Sequence, residues 1–115
     1  MCEHAQLEKI LTSIAKYSQE TFGDRLSAVI LYGSYARGDY DAESDIDVMV
    51  LVDMGREELH AYEDQYSELT SRLSLEDEDC TTISLILDST PHVNRWQKHI
   101  PFYQNVMREG VRISA

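Results

Sequence analysis

Apolar and polar positions along this chain follow two periods, and each change of period marks an element. Over residues 5–22, Leu7, Ile10, Leu11 and Ile14 keep the i, i+3, i+4, i+7 spacing of an amphipathic helix, with Gly23 placed to end it. Leu26–Tyr32 is apolar on both faces, which predicts a buried, central strand. The run stops at Gly33-Ser34, the composition of a tight turn, and a short helical turn is predicted to open at Tyr35. A polar loop over 38–43 carries Asp39, Asp41 and Glu43. Over 45–52 the period becomes two, with Ile46, Val48, Val50 and Val52 facing one way and Asp45, Asp47, Met49 and Leu51 the other. Leu59, Tyr62, Tyr66, Leu69 and Leu73 then mark a second amphipathic helix over 56–73, whose outer face carries Glu57, Glu58, Glu63 and Glu68.

An acidic turn at 76–79 leads to a third strand over 81–87, with Ile83, Leu85 and Leu87 on one face and Thr82, Ser84 and Ile86 on the other. Pro91 is read as breaking the chain ahead of a last helical region over 93–109. Trp96, Ile100, Tyr103, Val106 and Met107 form its apolar side, and Pro101 kinks or divides it. Gly110 ends that helix. The fold class predicted is α/β, a small mixed sheet of three or four strands with packed helices, in the order helix, strand, short helix, strand, helix, strand, helix, short strand. At 115 residues the chain is expected to be a single domain over 1–115, short for an enzyme that carries its own substrate lid.

Two stretches carry chemistry. At Gly33 the absence of a Cβ lets a backbone approach a phosphate closely, the Ser34 hydroxyl adds a donor, and a helical turn beginning there points its positive end at an anion. Asp45 and Asp47 stand two apart on a strand, so both carboxylates leave one face, roughly 6 to 7 Å apart at the backbone. That spacing suits magnesium, which takes one or two carboxylates together with substrate phosphates. Two such ions about 4 Å apart clamp the attacking and leaving oxygens of a phosphoryl displacement. Each half alone has a plainer reading, a turn in one case and a solvated strand edge in the other.

Taken together, Gly33-Ser34-x-x-Arg37-Gly38 and Ser44-Asp45-x-Asp47 resemble the signature of the minimal nucleotidyltransferase (MNT) family, within the DNA polymerase beta-like nucleotidyltransferase superfamily. The closing Arg108-Glu109-Gly110-Val111-Arg112-Ile113 is similar to the short last strand of family members. The resemblance implies transfer of a nucleoside monophosphate, AMP from ATP, to a hydroxyl, with pyrophosphate leaving. Gly33 and Ser34 would hold the terminal phosphates, and Asp45 and Asp47 would hold magnesium ions. Arg37 would offset phosphate charge or orient the loop through Asp45, against a plainer reading as a surface ion pair with Asp39 or Asp41.

One family feature is absent. Superfamily members place a third carboxylate between two aliphatics on the third strand, as the general base for the acceptor hydroxyl. Here the slot Ile83-x-Leu85 holds Ser84. Asp88 shares the face of Ser84 but lies four residues on, roughly 13 Å away. Asp79 has the opposite parity and is read as loop. Small chains of the family resemble the antitoxin half of a pair with a helical HEPN-type ribonuclease toxin, silenced by addition of AMP to a tyrosine. Two rivals stand beside this role. One is modification of a small molecule such as an aminoglycoside, which calls for an extra helical domain or a homodimer cleft; the other is a catalytically weak binding module of the same fold.

Charge and composition narrow the partners. Twenty-one acidic residues against ten basic ones give a formal charge of -11, which repels a nucleic acid backbone and favours a small nucleotide with its metal, and a protein or small cationic acceptor. No apolar run approaches the roughly 20 residues of a membrane span, and the first residues lack the basic and apolar regions of a signal peptide, so a cytoplasmic location is expected. Cys2 and Cys80 are read as reduced thiols, and His92 and His99 as surface residues rather than zinc ligands. The tyrosines of the second helix are read as core, with a nucleotide-stacking row as the alternative. The acids of the 38–43 loop are read as solvated.

Overall fold

The structure, a computed structural model, describes residues 4–76 and 81–113. The long first helix α1 (His4–Phe22) ends in a short 3-10 turn and delivers the chain to β1 (Leu26–Tyr32). A four-residue helix α2 (Ser34–Arg37) follows, then β2 (Ile46–Val52), α3 (Arg56–His60), α4 (Glu63–Glu76), β3 (Ile83–Ser89), α5 (Thr90–Trp96), α6 (Pro101–Glu109) and β4 (Val111–Ile113). The strands form one mixed sheet in the order β3-β2-β1-β4. β1 is antiparallel to both β2 and β4, while β2 and β3 run parallel.

The period-two pattern decides which helices cover which face. Val29 and Leu31 of β1, Ile46, Val48, Val50 and Val52 of β2 and Ile83 of β3 are buried against Ile10, Leu11 and Ile14 of α1 and Tyr66, Leu69 and Leu73 of α4. Ala28, Ile30, Met49 and Leu51 point the other way and are covered by Val93 of α5 and Tyr103 and Val106 of α6. Burying each such side chain contributes about 1.5–3 kcal/mol before chain entropy is counted. Tyr32, at the end of β1, packs against this second layer and meets Phe102 of α6 edge to face. Tyr66 is core: it is 2% exposed, stacks on Phe22 and donates its hydroxyl to Ser18 Oγ at 2.8 Å.

Several elements differ from the pattern-based expectation. The helix expected over 56–73 is two helices running on to Glu76, because the Ala61 and Tyr62 amides bond back three residues, to Glu58 and Leu59, and interrupt the α-helical ladder there. The third strand runs Ile83–Ser89 rather than 81–87, since its parallel pairing with β2 begins at Ile46 with Ile83 and ends at Val52 with Ser89. Ser89 then caps α5, accepting the His92 amide at 3.3 Å. Pro91 accordingly sits in the first turn of that helix, where its missing N–H costs nothing, instead of ahead of it.

Pro101 divides the last helical region outright. Trp96, expected in the core, is 40% exposed and packs beside Arg95, His92 and His99 at the surface. Asp45 lies one residue before β2 rather than within it. The turn at 77–79, Asp79 included, and both Cys2 and Cys80 lie outside the described residues. Among the described residues no helix is long and apolar enough to cross a membrane.

Candidate active site

Antiparallel pairing places Tyr32, the last residue of β1, opposite Asp47 near the start of β2. The Gly33-Ser34 turn therefore sits against the Asp45-x-Asp47 stretch although a polar loop separates them in sequence. Gly33 adopts φ 75° and ψ -155°, a region almost confined to glycine. A Cβ built there collides with the Asp47 carboxylate. The missing side chain thus lets the acid lie directly against the turn. Gly33 O accepts the Ala36 and Arg37 amides at 3.1 and 3.0 Å, which opens α2, and Gly38, at φ 83°, closes it by donating to Ser34 O at 2.9 Å.

Electrostatics at this corner are unbalanced. Burial, and then the neighbouring negative charge of Asp45, raise the Asp47 carboxyl above its ordinary value, while Arg37 pulls it down. Tyr32 is pushed up to about 12 by burial and by the charge of Asp47, and is neutral at physiological pH. Arg37 gives its Nε to Asp39 at 3.1 Å and a terminal nitrogen to Glu109 of α6 at 3.4 Å. Both pairs are solvent-exposed and screened, so the guanidinium is easily redirected. Asp41 instead accepts the Glu43 amide and the Ser44 hydroxyl, which folds the loop back on itself.

The turn, Asp47 and α6 border a cleft of about 360 Å³, lined by Tyr32, Gly33, Ser34, Arg37 and Asp47 of the first two strands and their turn and by Phe102, Asn105, Val106 and Glu109 of α6; Asp45 does not line it. A larger hollow of about 590 Å³ lies between α4 and the outer edge of β3; Ser84 borders it, but none of Gly33, Asp45 and Asp47 does.

On the far side of β2, register pairs Asp47 with Ser84, which is exposed on the same sheet face. Asp88 pairs with Leu51, four residues away, and is committed elsewhere. It is 3% exposed and accepts the Tyr103 hydroxyl at 2.7 Å and the Ser89 amide at 2.8 Å, with Arg56 Nε at 3.4 Å. Among the described residues no three His, Cys, Asp or Glu side chains are grouped to hold a metal. What remains is the pair Asp45 and Asp47. Their oxygen donors, crowded negative charge and open approach fit a hard divalent cation that completes its shell with water and phosphate.

Sequence reading did not find the α6 wall. Phe102 lies off the apolar stripe of that region, and an aromatic left off a stripe was the available signal. The link from Arg37 to Glu109 spans 72 residues and had none.

Residues 7–103 match the nucleotidyltransferase domain family. A protein of Methanocaldococcus jannaschii, provisionally named a protein adenylyltransferase, is 31% identical over 103 residues, covering 90% of this chain and 93% of its own length. A second protein of that organism with the same provisional name is 49% identical over 47 residues, 41% of this chain and 48% of its own length. With the match covering most of the sequence, the chain belongs to the nucleotidyltransferase domain family.

Proposed function

We propose that this chain transfers AMP from ATP to a hydroxyl of a helical protein, as the antitoxin partner of a HEPN-type toxin. The observation that carries the nucleotide part is the Gly33 contact: a glycine-only turn with the Asp47 carboxylate lying where its Cβ would be. Phosphate donors and cation ligands thereby form one wall. The protein names of the M. jannaschii relatives support AMP and a protein acceptor as donor and target. The formal charge of -11 supports a protein over a nucleic acid acceptor.

In this reading the Gly33-Ser34 backbone and the Ser34 hydroxyl hold the terminal phosphates, and Asp45 and Asp47 hold magnesium. The bound cation supplies charge neutralisation for the phosphates. Arg37, released from Asp39 and Glu109, adds a second positive charge. The acceptor oxygen bonds to the α-phosphorus, the bond to pyrophosphate breaks, and the hydroxyl proton leaves to solvent. Ser84, beside Asp47, presents a hydroxyl where a carboxylate base would serve, and this favours a second reading, a catalytically weak module that binds its partner through the same fold.

The test is transfer of label from α-labelled ATP to a purified helical HEPN-type protein, with magnesium binding followed by calorimetry. Wild type is expected to label the partner, and Asp45→Asn with Asp47→Asn to abolish both labelling and magnesium-dependent ATP affinity. ATP affinity that is unchanged in the double variant overturns the site. ATP-independent partner binding without labelling selects the second reading.

A further inference from the structure

We infer that Phe102 and Asn105 of α6, with Tyr32, form the nucleoside end of the cleft, taking the base of a nucleoside triphosphate whose phosphates lie at Gly33-Ser34. The inference rests on the nucleotide-transfer reading and adds a subsite to it. Its basis is that one continuous cleft is lined both by Gly33, Ser34, Arg37 and Asp47 and by an aromatic and an amide of α6.

Phe102 is 40% exposed, a large apolar side chain held open on the cleft wall when the rest of α6 buries Tyr103 and Val106. Its ring meets Tyr32 edge to face at 5.6 Å between centroids, and Tyr103 lies behind it at 5.8 Å. The ring is thus supported from two sides while keeping exposed surface, the arrangement a flat base needs in order to stack. Asn105, one helical turn further on, accepts Arg108 at its Oδ1 at 2.9 Å. That bond engages the amide oxygen and leaves the NH₂ as a donor, suited to an acceptor atom on a base edge. At about 360 Å³ the cleft is within the range of small-ligand sites. Ser84 of β3 pairs with Asp47 from the side opposite Tyr32 of β1.

Calorimetric titration of the whole chain with magnesium-ATP and, in parallel, with magnesium and inorganic triphosphate separates the subsites. Phe102→Ala is expected to weaken ATP by about 5- to 150-fold, the usual worth of one stacked base, and to leave triphosphate affinity unchanged. Phe102→Tyr is expected to retain wild-type ATP affinity. Circular dichroism confirms that each variant is folded. Unchanged ATP affinity in Phe102→Ala overturns the platform, and so does an equal loss for ATP and triphosphate. A Phe102→Ala variant that binds ATP normally but labels its acceptor poorly assigns the aromatic wall to the acceptor and also overturns it. In each of those outcomes a magnesium-dependent ATP affinity lost in Asp45→Asn with Asp47→Asn leaves the transfer reading standing; wild type that binds neither ligand removes both.

Discussion

Replacing Gly33 with alanine is expected to weaken nucleotide binding tenfold or more in a protein that still folds, and Gly38→Ala is the control that isolates the reason. Both glycines have positive φ, 75° at Gly33 and 83° at Gly38, so both alanines introduce backbone strain. The cost is about 1–3 kcal/mol at Gly33, whose ψ of -155° lies in a region almost closed to other residues. At Gly38, in the left-handed helical region, it is about 1–2 kcal/mol. With roughly 4 °C of melting temperature per kcal/mol for a domain of this size, the variants lose comparable amounts, about 4–12 °C and 4–8 °C. Against a total stability of about 5–15 kcal/mol, both remain folded at 25 °C.

What separates them is the neighbour. A Cβ at Gly38 meets nothing within 4 Å, whereas one at Gly33 meets the Asp47 carboxylate, which must move. A displaced cation ligand costs at least about 1.4 kcal/mol, so magnesium-ATP affinity should fall tenfold or more in Gly33→Ala and stay unchanged in Gly38→Ala. Differential scanning calorimetry and isothermal titration measure the two quantities independently. Equal ATP affinity in the two variants refutes the claim that the turn and Asp47 act as one wall.

Ser84→Asp is expected to raise the rate of AMP transfer, toward the 10²- to 10⁴-fold that a general base is generally worth, as read from labelled ATP. Asp88→Asn is expected to leave that rate unchanged while lowering stability by about 1–3 kcal/mol, because a buried carboxylate that accepts Tyr103 and Ser89 loses acceptor capacity. A rate that collapses in Asp88→Asn refutes the assignment. Burial pushes the Tyr66 hydroxyl up to about 12. The neutral phenol is therefore favoured by the fold, and its contribution is complete below pH 10 and lost as pH rises from 10 toward 12, on the order of 2 kcal/mol. Denaturant unfolding at pH 8 and pH 11 should show a smaller alkaline loss in Tyr66→Phe than in wild type; parallel losses contradict it.

Alternating positions were legible because burial on both sheet faces leaves little freedom. Val29 and Leu31 face α1 and α4 while Ala28 and Ile30 face α5 and α6, as the period of two requires, and Leu26–Tyr32 has the expected bounds. Helix breaks were less legible. The stripe Leu59, Tyr62, Tyr66 continues through the interruption at Ala61, because a short stretch of tighter hydrogen bonding breaks the α-helical ladder without moving these side chains off the core cluster. Of the candidate site, the proximity of Gly33-Ser34 to the two acids was readable from the motif order. Its α6 wall was not, since the meeting of Tyr32 with Phe102 depends on how α6 lies across the sheet after Pro101.

The identity of the residue beside Asp47 follows from the way β3 is anchored. A shift of one residue in its pairing with β2 would turn Ile83, Leu85 and Leu87 away from the α1 and α4 layer, so shifts of odd size are closed. A shift of four, the one that would bring Asp88 level with Asp47, would pull that carboxylate off the Tyr103 hydroxyl and the Ser89 amide and take the Ser89 cap from α5. Those losses fall on buried groups, each costing about 1–3 kcal/mol, a large share of the stability of a small domain. Ser84 therefore stands beside Asp47 because the fold puts it there. In the proposed reading, transfer by this chain takes the acceptor proton without a carboxylate at that position, and its rate would rest on how well Asp45, Asp47 and the Gly33 turn orient the phosphates.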